Sequence, residues 1–374
     1  MTVSVRTIEE DDHEALNALH RSVGWPQRSP AGWRWLWDNP ARLEAGAPAG
    51  WLLVDDDDGA PCGMTGNFVQ RFHRGTTVLH GASAFSVIVR PRARGQSRRL
   101  LDRFADQAAL FARYVLNANS ASSPIYGRHG MAAWPPRTHA LKLSWRVDTL
   151  ACARGRVLRQ VHGLTPALID AARERLMNDR LVDPTRLSLP PGVAVVSDLG
   201  DRSRFGDFWT ALKAEGRLIA DRSPATLRWR LSDPDLTLRP VLLAFNAGKA
   251  ITGFAMAMVA KGNAIEPPVL EILDLIALED DQRAIPALME ALMTNARALG
   301  AAKVRIQMVN DDLVRRLGPL AASARREGGW GHGHARFEPG TTGLETWAPT
   351  PFDGDYGLCL RPVPTPACAA RRAA

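Results

Sequence analysis

Apolar residues along this chain alternate between a spacing of two and a spacing of three to four, and the switches mark its elements. Val3-Ser-Val-Arg-Thr-Ile8 alternates as a strand, and Glu9 to Leu19 starts acidic and then turns helical, as a helix N-terminus favours. Trp51–Val54 and the run from Gly63 flank the acidic turn Asp55–Gly59, whose final Asp-Gly signals a hairpin. Asn67–Phe72 and Thr76–Val89 continue as strands, and Pro91 stops the second. Leu100, Leu101, Phe104, Ala108 and Phe111 then recur at helical spacing, and Tyr114–Ala118 and Leu141–Val147 read as further strands. Ala151–Pro190 differs: it is arginine-rich and partly helical (Pro166–Met177), and it ends in Leu-Pro-Pro-Gly, which places a boundary near Pro191.

The second half repeats the first. Arg222-Ser-Pro-Ala-Thr-Leu-Arg-Trp-Arg-Leu-Ser-Asp-Pro234 matches Arg28–Pro40 at seven of thirteen positions. Leu242–Gly253 parallels the Trp51–Gly63 hairpin, and Leu270–Ala277, Ala284–Leu299 and Val304–Val309 parallel strand, helix and strand. A repeat offset of about 190 residues implies duplicated modules. The expected organisation is 1–150 as a first module, 151–190 as a basic helical connector, 191–350 as a second module, and 351–374 as a C-terminal strand and tail.

Bulk properties narrow the classes. A chain of 374 residues, 45% hydrophobic and 23% charged, suits two globular units. No run reaches eighteen apolar residues and the first residues carry no apolar signal core. Cys62, Cys152, Cys359 and Cys368 are scattered without metal or disulfide spacing, which points to a reducing cytoplasm. The net charge of +8 clusters around Arg90–Arg103 and Arg154–Arg159. Without interleaved aromatics, these clusters do not read as a nucleic-acid surface, so no nucleic-acid partner is expected.

The chemistry gathers between the strand ending at Val89 and the helix near Leu100. The loop carries Arg90, Arg92, Arg94, Arg98 and Arg99 around Gly95, and no Asp or Glu occurs from Gly59 to Leu101. A helix start offers unpaired N–H groups, a glycine permits close approach, and guanidinium groups add forked donors, so an anion suits this loop. The equivalent loop of the second half, Glu279-Asp-Asp-Gln-Arg283, has three carboxylates and no glycine, and repels an anion.

Arg92-Ala93-Arg94-Gly95-Gln96-Ser97 resembles the Arg/Gln-x-x-Gly-x-Gly/Ala signature of the GNAT family of acyl-CoA-dependent acyltransferases, with Ser97 replacing the usual Gly/Ala. Asn119, Ser122, Tyr126 and Gly130 resemble the Asn-x-x-Ala-x-x-x-Tyr-x-x-x-Gly stretch after that family's fifth strand. The resemblance implies a tandem α/β (α+β) protein, each module a mixed, mostly antiparallel sheet flanked by helices. It implies that Arg92, Ala93, Arg94, Gly95, Gln96, Ser97, Arg98 and Asn119 hold coenzyme A, and that the Val87, Ile88 and Val89 backbone pairs with its pantetheine arm. Tyr126 falls at the position of the acid that protonates the departing thiolate. The reaction implied is direct attack of a primary amine on the thioester, with acetyl-CoA as the first expectation. A long-chain acyl-CoA with a lipid amine, as in the GNAT-like bacterial ceramide synthases that acylate sphingoid bases, is one alternative. A non-catalytic coenzyme A-binding protein is another.

No carboxylate lies on the central strands of the first module, so His80 is the candidate base, with His73 and a water chain beside it and Glu271 and Asp274 as further alternatives. For either histidine the plainer reading is structural. His332-Gly-His334 lacks a third ligand at metal spacing, and no metal is expected. Trp33, Trp35 and Trp37 are core by default; the sharper alternative is an acyl- or lipid-binding surface, with peripheral contact at the inner membrane. Asp55–Asp58 reads as a solvated turn. Acyl length, acceptor and oligomeric state stay open.

Overall fold

A computed structural model describes residues 2–164, 186–236, 238–260, 266–328 and 330–360. The helix expected at 166–177 and the tail beyond 360 lie outside them. The first half supplies β1 (Val3–Thr7), β2 (Gly50–Asp55), β3 (Pro61–Arg74), β4 (Thr77–Val89), β5 (Ala112–Asn119), β6 (Ala132–Ala133) and β7 (Lys142–Arg146). Its helices are α1 (His13–Ser22), α2 (Pro30–Trp37), α3 (Pro40–Ala45), α4 (Ser97–Ala105), α5 (Ser123–Arg128) and α6 (Thr149–Leu164). The second half supplies β8 (Val193–Val195), β9 (Leu218–Ala220), β10 (Val241–Ala247), β11 (Ala250–Ala260), β12 (Val269–Ala277), β13 (Lys303–Ile306), β14 (Arg325–Glu327) and β15 (Trp330–Phe337). Its helices are α7 (Arg204–Ala214), α8 (Pro224–Leu231), α9 (Ala284–Ala296), α10 (Asp311–Leu317), α11 (Pro319–Ser323) and α12 (Tyr356–Cys359).

Two mostly antiparallel sheets result. The first runs β1-β2-β3-β4-β5-β15-β6, with β9 also on β3, and the second runs β14-β7-β13-β12-β11-β10-β8. Each contains one parallel pair, β4 with β5 and β12 with β13. The halves exchange strands. β7 follows the first module in sequence yet lies in the second sheet, and β15 crosses back to pair with β5. Sheet membership therefore does not divide at residues 150 or 191. The exchange carries Leu143 and Trp145 into the second core, and Ala335 into a cluster with Phe72 and Tyr114 of the first sheet. Apolar positions at strand spacing permit this because the pattern fixes the buried face, not the sheet it joins.

Two expectations need correction, and for the tryptophan segment the default reading as core is the one the structure favours. The helix after the basic loop ends at Ala105, and a positive φ at Ala109 turns the chain so that Phe111 enters the strand side of the core. Residues 351–359 make a 3₁₀ turn and α12 rather than a strand. The tryptophan segment is helix α2 and mainly core: Trp33 and Trp35 are buried, their N–H groups donating to Glu10 O and Trp229 O at 2.8 Å each. Trp35 stacks on Trp229 of α8, the same element in the second repeat, with centroids 4.4 Å apart. Such a pair contributes about 0.5–1.5 kcal/mol beyond its buried area. A surface role drawn from Trp33 and Trp35 loses its basis.

Candidate active site

The parallel pairing of β4 with β5 covers Gly81↔Ala112 to Ser83↔Tyr114 and stops there, although β4 runs on to Val89 and β5 to Asn119. A register shift against β3 between Met64 and Gly66, with Ser86 at φ 51°, marks a bulge that bends β4 at this point. The two strands splay beyond it. Val87, Ile88 and Val89 thus keep β3 on one side and, among the described residues, have no strand partner on the β5 side.

The basic loop closes the wide end of this wedge. Arg90 leads into a 3₁₀ turn, Pro91–Ala93, and Gly95 takes φ 91°, where an L side chain is strained. The loop's own bonds use the amides of Ala93, Arg94, Gln96 and Arg99. Among the described residues, the amides of Gly95, Ser97 and Arg98 donate to no protein acceptor. The arginines are partly spoken for. Arg92 lies 3.4 Å from Asp55 and 3.3 Å from Asp58, Arg98 lies 3.7 Å from Asp102, and Arg99 donates to Val3 O. The acidic hairpin turn, separated from the loop in sequence, therefore returns beside it in space. Arg94 remains exposed.

Beyond β5, Asn119 Oδ1 accepts from the amides of Ala121 (3.0 Å) and Ser122 (2.8 Å) and builds the turn into α5. This places Tyr126 in the helix-side core of the first sheet, with Leu100, Leu101 and Val115. His129 anchors the end of α5 to Asp102 of α4 at 3.1 Å. Burial, and then the charge of Asp355, raise the Tyr126 hydroxyl well above its ordinary range, so it keeps its proton at neutral pH. Asp355 arrives from the C-terminal segment, which lies between the two halves. Tyr114 donates to Asp353 O at 2.6 Å, and Leu358 packs on the cluster of Phe85 and Ile88. Ser123, at the start of α5, lies 2.7 Å from His334 Nε2 of β15, and the His334 ring stacks on Tyr126 with centroids 6.1 Å apart.

His80 is not part of this assembly. It sits near the opposite end of β4, nine residues or roughly 30 Å of strand from Val89, and contacts Glu44 at 3.3 Å. His73 contacts Asp221 at 3.9 Å. Glu271 is ion-paired to Arg305, and Asp274 to Arg222 at 3.0 Å; both are buried charges already matched. Sequence reasoning missed Asp355, Ser123 and the placement of His334. Only the His-x-His spacing drew attention to His334, and as a metal motif. Among the described residues no cluster suits a metal ion.

The second sheet has the same splay: β12 pairs with β13 only up to Ile272↔Ile306 and bulges between Met256 and Ala257 of its other neighbour. There the space is filled. Arg222 binds Asp274, Asp353 and Thr350. Arg217 donates to Ala277 O and Arg316 to Leu278 O, leaving a cavity of about 40 Å³ lined by all three arginines. At the start of α9, Asp281 accepts from the amides of Arg283 (2.8 Å) and Ala284 (3.2 Å) and from Thr252 (2.6 Å). The open cleft of about 530 Å³ beside it presents Glu215, Asp280 and Asp281.

The fold is that of GNAT acetyltransferase structures. A GCN5-related N-acetyltransferase from Anabaena variabilis ATCC 29413 superposes with a TM-score of 0.50 at 13% identity, covering 90% of this chain and 73% of that one. A conserved Enterococcus faecalis V583 protein of unknown function, described as a probable N-acyltransferase, gives a TM-score of 0.52 at 13% identity, covering 92% and 74%. No family model matches the sequence, and no curated protein does.

Proposed function

We propose that this protein transfers an acyl group from a coenzyme A thioester to an amine, using the first module alone. One observation carries the reading: the splayed β4 edge, the unpaired loop amides and a protonated Tyr126 occur together in the first sheet, while the second sheet's counterpart is filled. The free amides of Gly95, Ser97 and Arg98, with Arg94, suit a pyrophosphate. The unpaired backbone of Val87–Val89 suits an extended pantetheine arm as an added strand. Bound there, the thioester supplies an activated acyl carbon.

The chain's own groups do the rest. The Val87–Val89 amides orient and polarise the carbonyl. Tyr126, kept neutral by burial and by Asp355, delivers its proton to sulfur as the carbon–sulfur bond breaks. The acceptor is a small-molecule or lipid amine entering from the side of the C-terminal segment. Acetyl-CoA is the donor expected first. Calorimetry with coenzyme A, followed by mass spectrometry of an amine panel incubated with acyl-CoAs of two to sixteen carbons, tests the reading. One coenzyme A bound per chain and an N-acylated product support it; binding without product for any amine leaves a coenzyme A-binding protein. No binding refutes it.

A further inference from the structure

The mechanism above leaves one proton without a destination, the one the amine must shed after attack. The Ser123–His334 contact, made by residues 211 positions apart, meets that need. We propose that Ser123 and His334 are the proton-accepting pair of the acyl transfer. This rests on the reading of the preceding section and assigns the base that it lacks.

The geometry supports the roles in turn. Ser123 Oγ lies 2.7 Å from His334 Nε2, inside the range of a working nucleophile–base or relay contact. Ser123 is half-buried, so its hydroxyl can be reached, whereas His334 is 8% exposed and shielded from bulk water. His334 stacks on Tyr126, which puts the base side and the acid side of the reaction within one turn of α5. β15 is held in place by pairing with β5 at His334↔Val115 and with β6 at His334↔Ala133, so the ring's position is fixed by the strand exchange.

The groups facing His334 keep it neutral. His139, from the link between β6 and β7, has its ring 6.4 Å away; His332 lies on the same strand, with Lys142 of β7 near it. Tyr126 is uncharged, and the Asp355 carboxylate acts on the Tyr126 hydroxyl. Burial first, then His139 and His332, hold His334 below the ordinary imidazole range, so it is a free base at pH 7.

The step balances. The amine nitrogen forms a bond to the acyl carbon and becomes cationic. Ser123 Oγ takes one proton from it and passes its own to His334 Nε2, while Tyr126 gives a proton to the departing sulfur. Amide and free thiol leave, and the imidazolium proton returns through solvent to the Tyr126 phenolate.

The test is the pH dependence of kcat/KM for the full chain, from pH 5 to 9, with the best amine found. Wild type should lose activity as pH falls through the lowered pKa of His334, so its acid limb should lie below the ordinary imidazole value of about 6.5. His334→Gln should lower kcat about 10²-fold and abolish that acid limb, with coenzyme A affinity unchanged. Ser123→Ala, at a half-exposed site that tolerates the change if His334→Gln folds poorly, should do the same, and Ser123→Thr should restore most activity. The assignment is overturned if the variants keep the wild-type limb, if they lose activity equally at every pH together with thermal stability, or if Asp355→Asn removes the limb instead. It is also overturned by an acyl adduct on Ser123 in intact-mass spectra without amine, which makes Ser123 a nucleophile. Loss of coenzyme A binding in wild type removes the acyl-transfer reading and this one together; binding with an unaltered profile removes this one alone.

Discussion

At the start of α4, three backbone amides have no acceptor among the described residues, Gly95 has φ 91°, and the exposed Arg94 stands beside them. At the start of α9, the corresponding amides are already taken by Asp281, and Glu279 and Asp280 precede it. One duplicated frame thus holds one helix start with unpaired amides among the described residues and another whose amides are satisfied by its own carboxylate. The splayed strands differ in the same sense. Beside β12 the gap is occupied by Arg222 and its acids, whereas beside β4 the backbone of Val87–Val89 stays unpaired toward β5. A helix N-terminus attracts negative charge whichever molecule carries it. On the function proposed above, a protein carboxylate in the second module stands where the first would hold a ligand's phosphate.

The sharpest way to break this comparison is to unplug the second sheet. Arg222 is buried between Asp274 and Asp353, so Arg222→Met leaves two carboxylates without their cation. It should destabilise the protein by about 3–5 kcal/mol, read by denaturant unfolding. A loss below about 1 kcal/mol would show that the plug is not structural.

Next comes Tyr126→Phe, which keeps the ring and removes the proton. We expect kcat to fall about 10²-fold with coenzyme A affinity nearly unchanged. Because the folded hydroxyl titrates above the ordinary tyrosine range, it stays an acid through neutral pH. Wild type should therefore show no basic limb from this group below about pH 10. Unaltered turnover in the variant would reduce Tyr126 to packing.

Gly95→Glu copies the second loop's charge into the first. Coulomb repulsion and backbone strain at φ 91° should weaken coenzyme A binding by about 10- to 100-fold in calorimetry. Gly95→Ala, carrying the strain alone, should lose only a few-fold. Equal effects of the two would mean that charge does not distinguish the loops.

The smallest effect is expected at Asp281. Asp281→Ala removes an acceptor for two amides and one hydroxyl, and should cost about 1 kcal/mol at pH 7 without creating coenzyme A binding. Although burial opposes it, the bonds from Thr252 and from the amides of Arg283 and Ala284 hold the Asp281 carboxyl below its usual range. Its contribution is therefore present above the unfolded pKa and is lost as pH falls through the folded one. The thermal-stability gap between variant and wild type should begin to narrow below about pH 4 and close at still lower pH, once the folded carboxyl is protonated. A gap that persists at acid pH would point to packing rather than charge.

Much of this was legible from local pattern. The duplicated Arg-Ser-Pro-Ala frame, the strand–loop–helix unit from β4 to α4, and the contrast between Arg92–Ser97 and Glu279–Arg283 depend on near neighbours, whose spacing and charge a sequence states directly. The turn geometry of Asn119 before Tyr126 is local in the same way. Other features were decided by contacts across hundreds of residues. The exchange of β7 and β15 could not be read, because alternation fixes which face of a strand is buried and leaves its partner open. The meeting of Ser123 with His334 follows from the exchange, the Arg92–Asp58 approach from the pairing of β3 with β4, and the stack of Trp35 on Trp229 from the packing of α2 against α8. The distance of His80 from the site comes from strand geometry alone: it shares β4 with Val89, but nine residue steps along an extended strand separate them. The sequence determined which segment carries the basic glycine loop and which copy carries carboxylates in its place. The tertiary structure decided which distant side chains stand beside it, because a side chain's neighbours are set by how whole strands pair and faces pack.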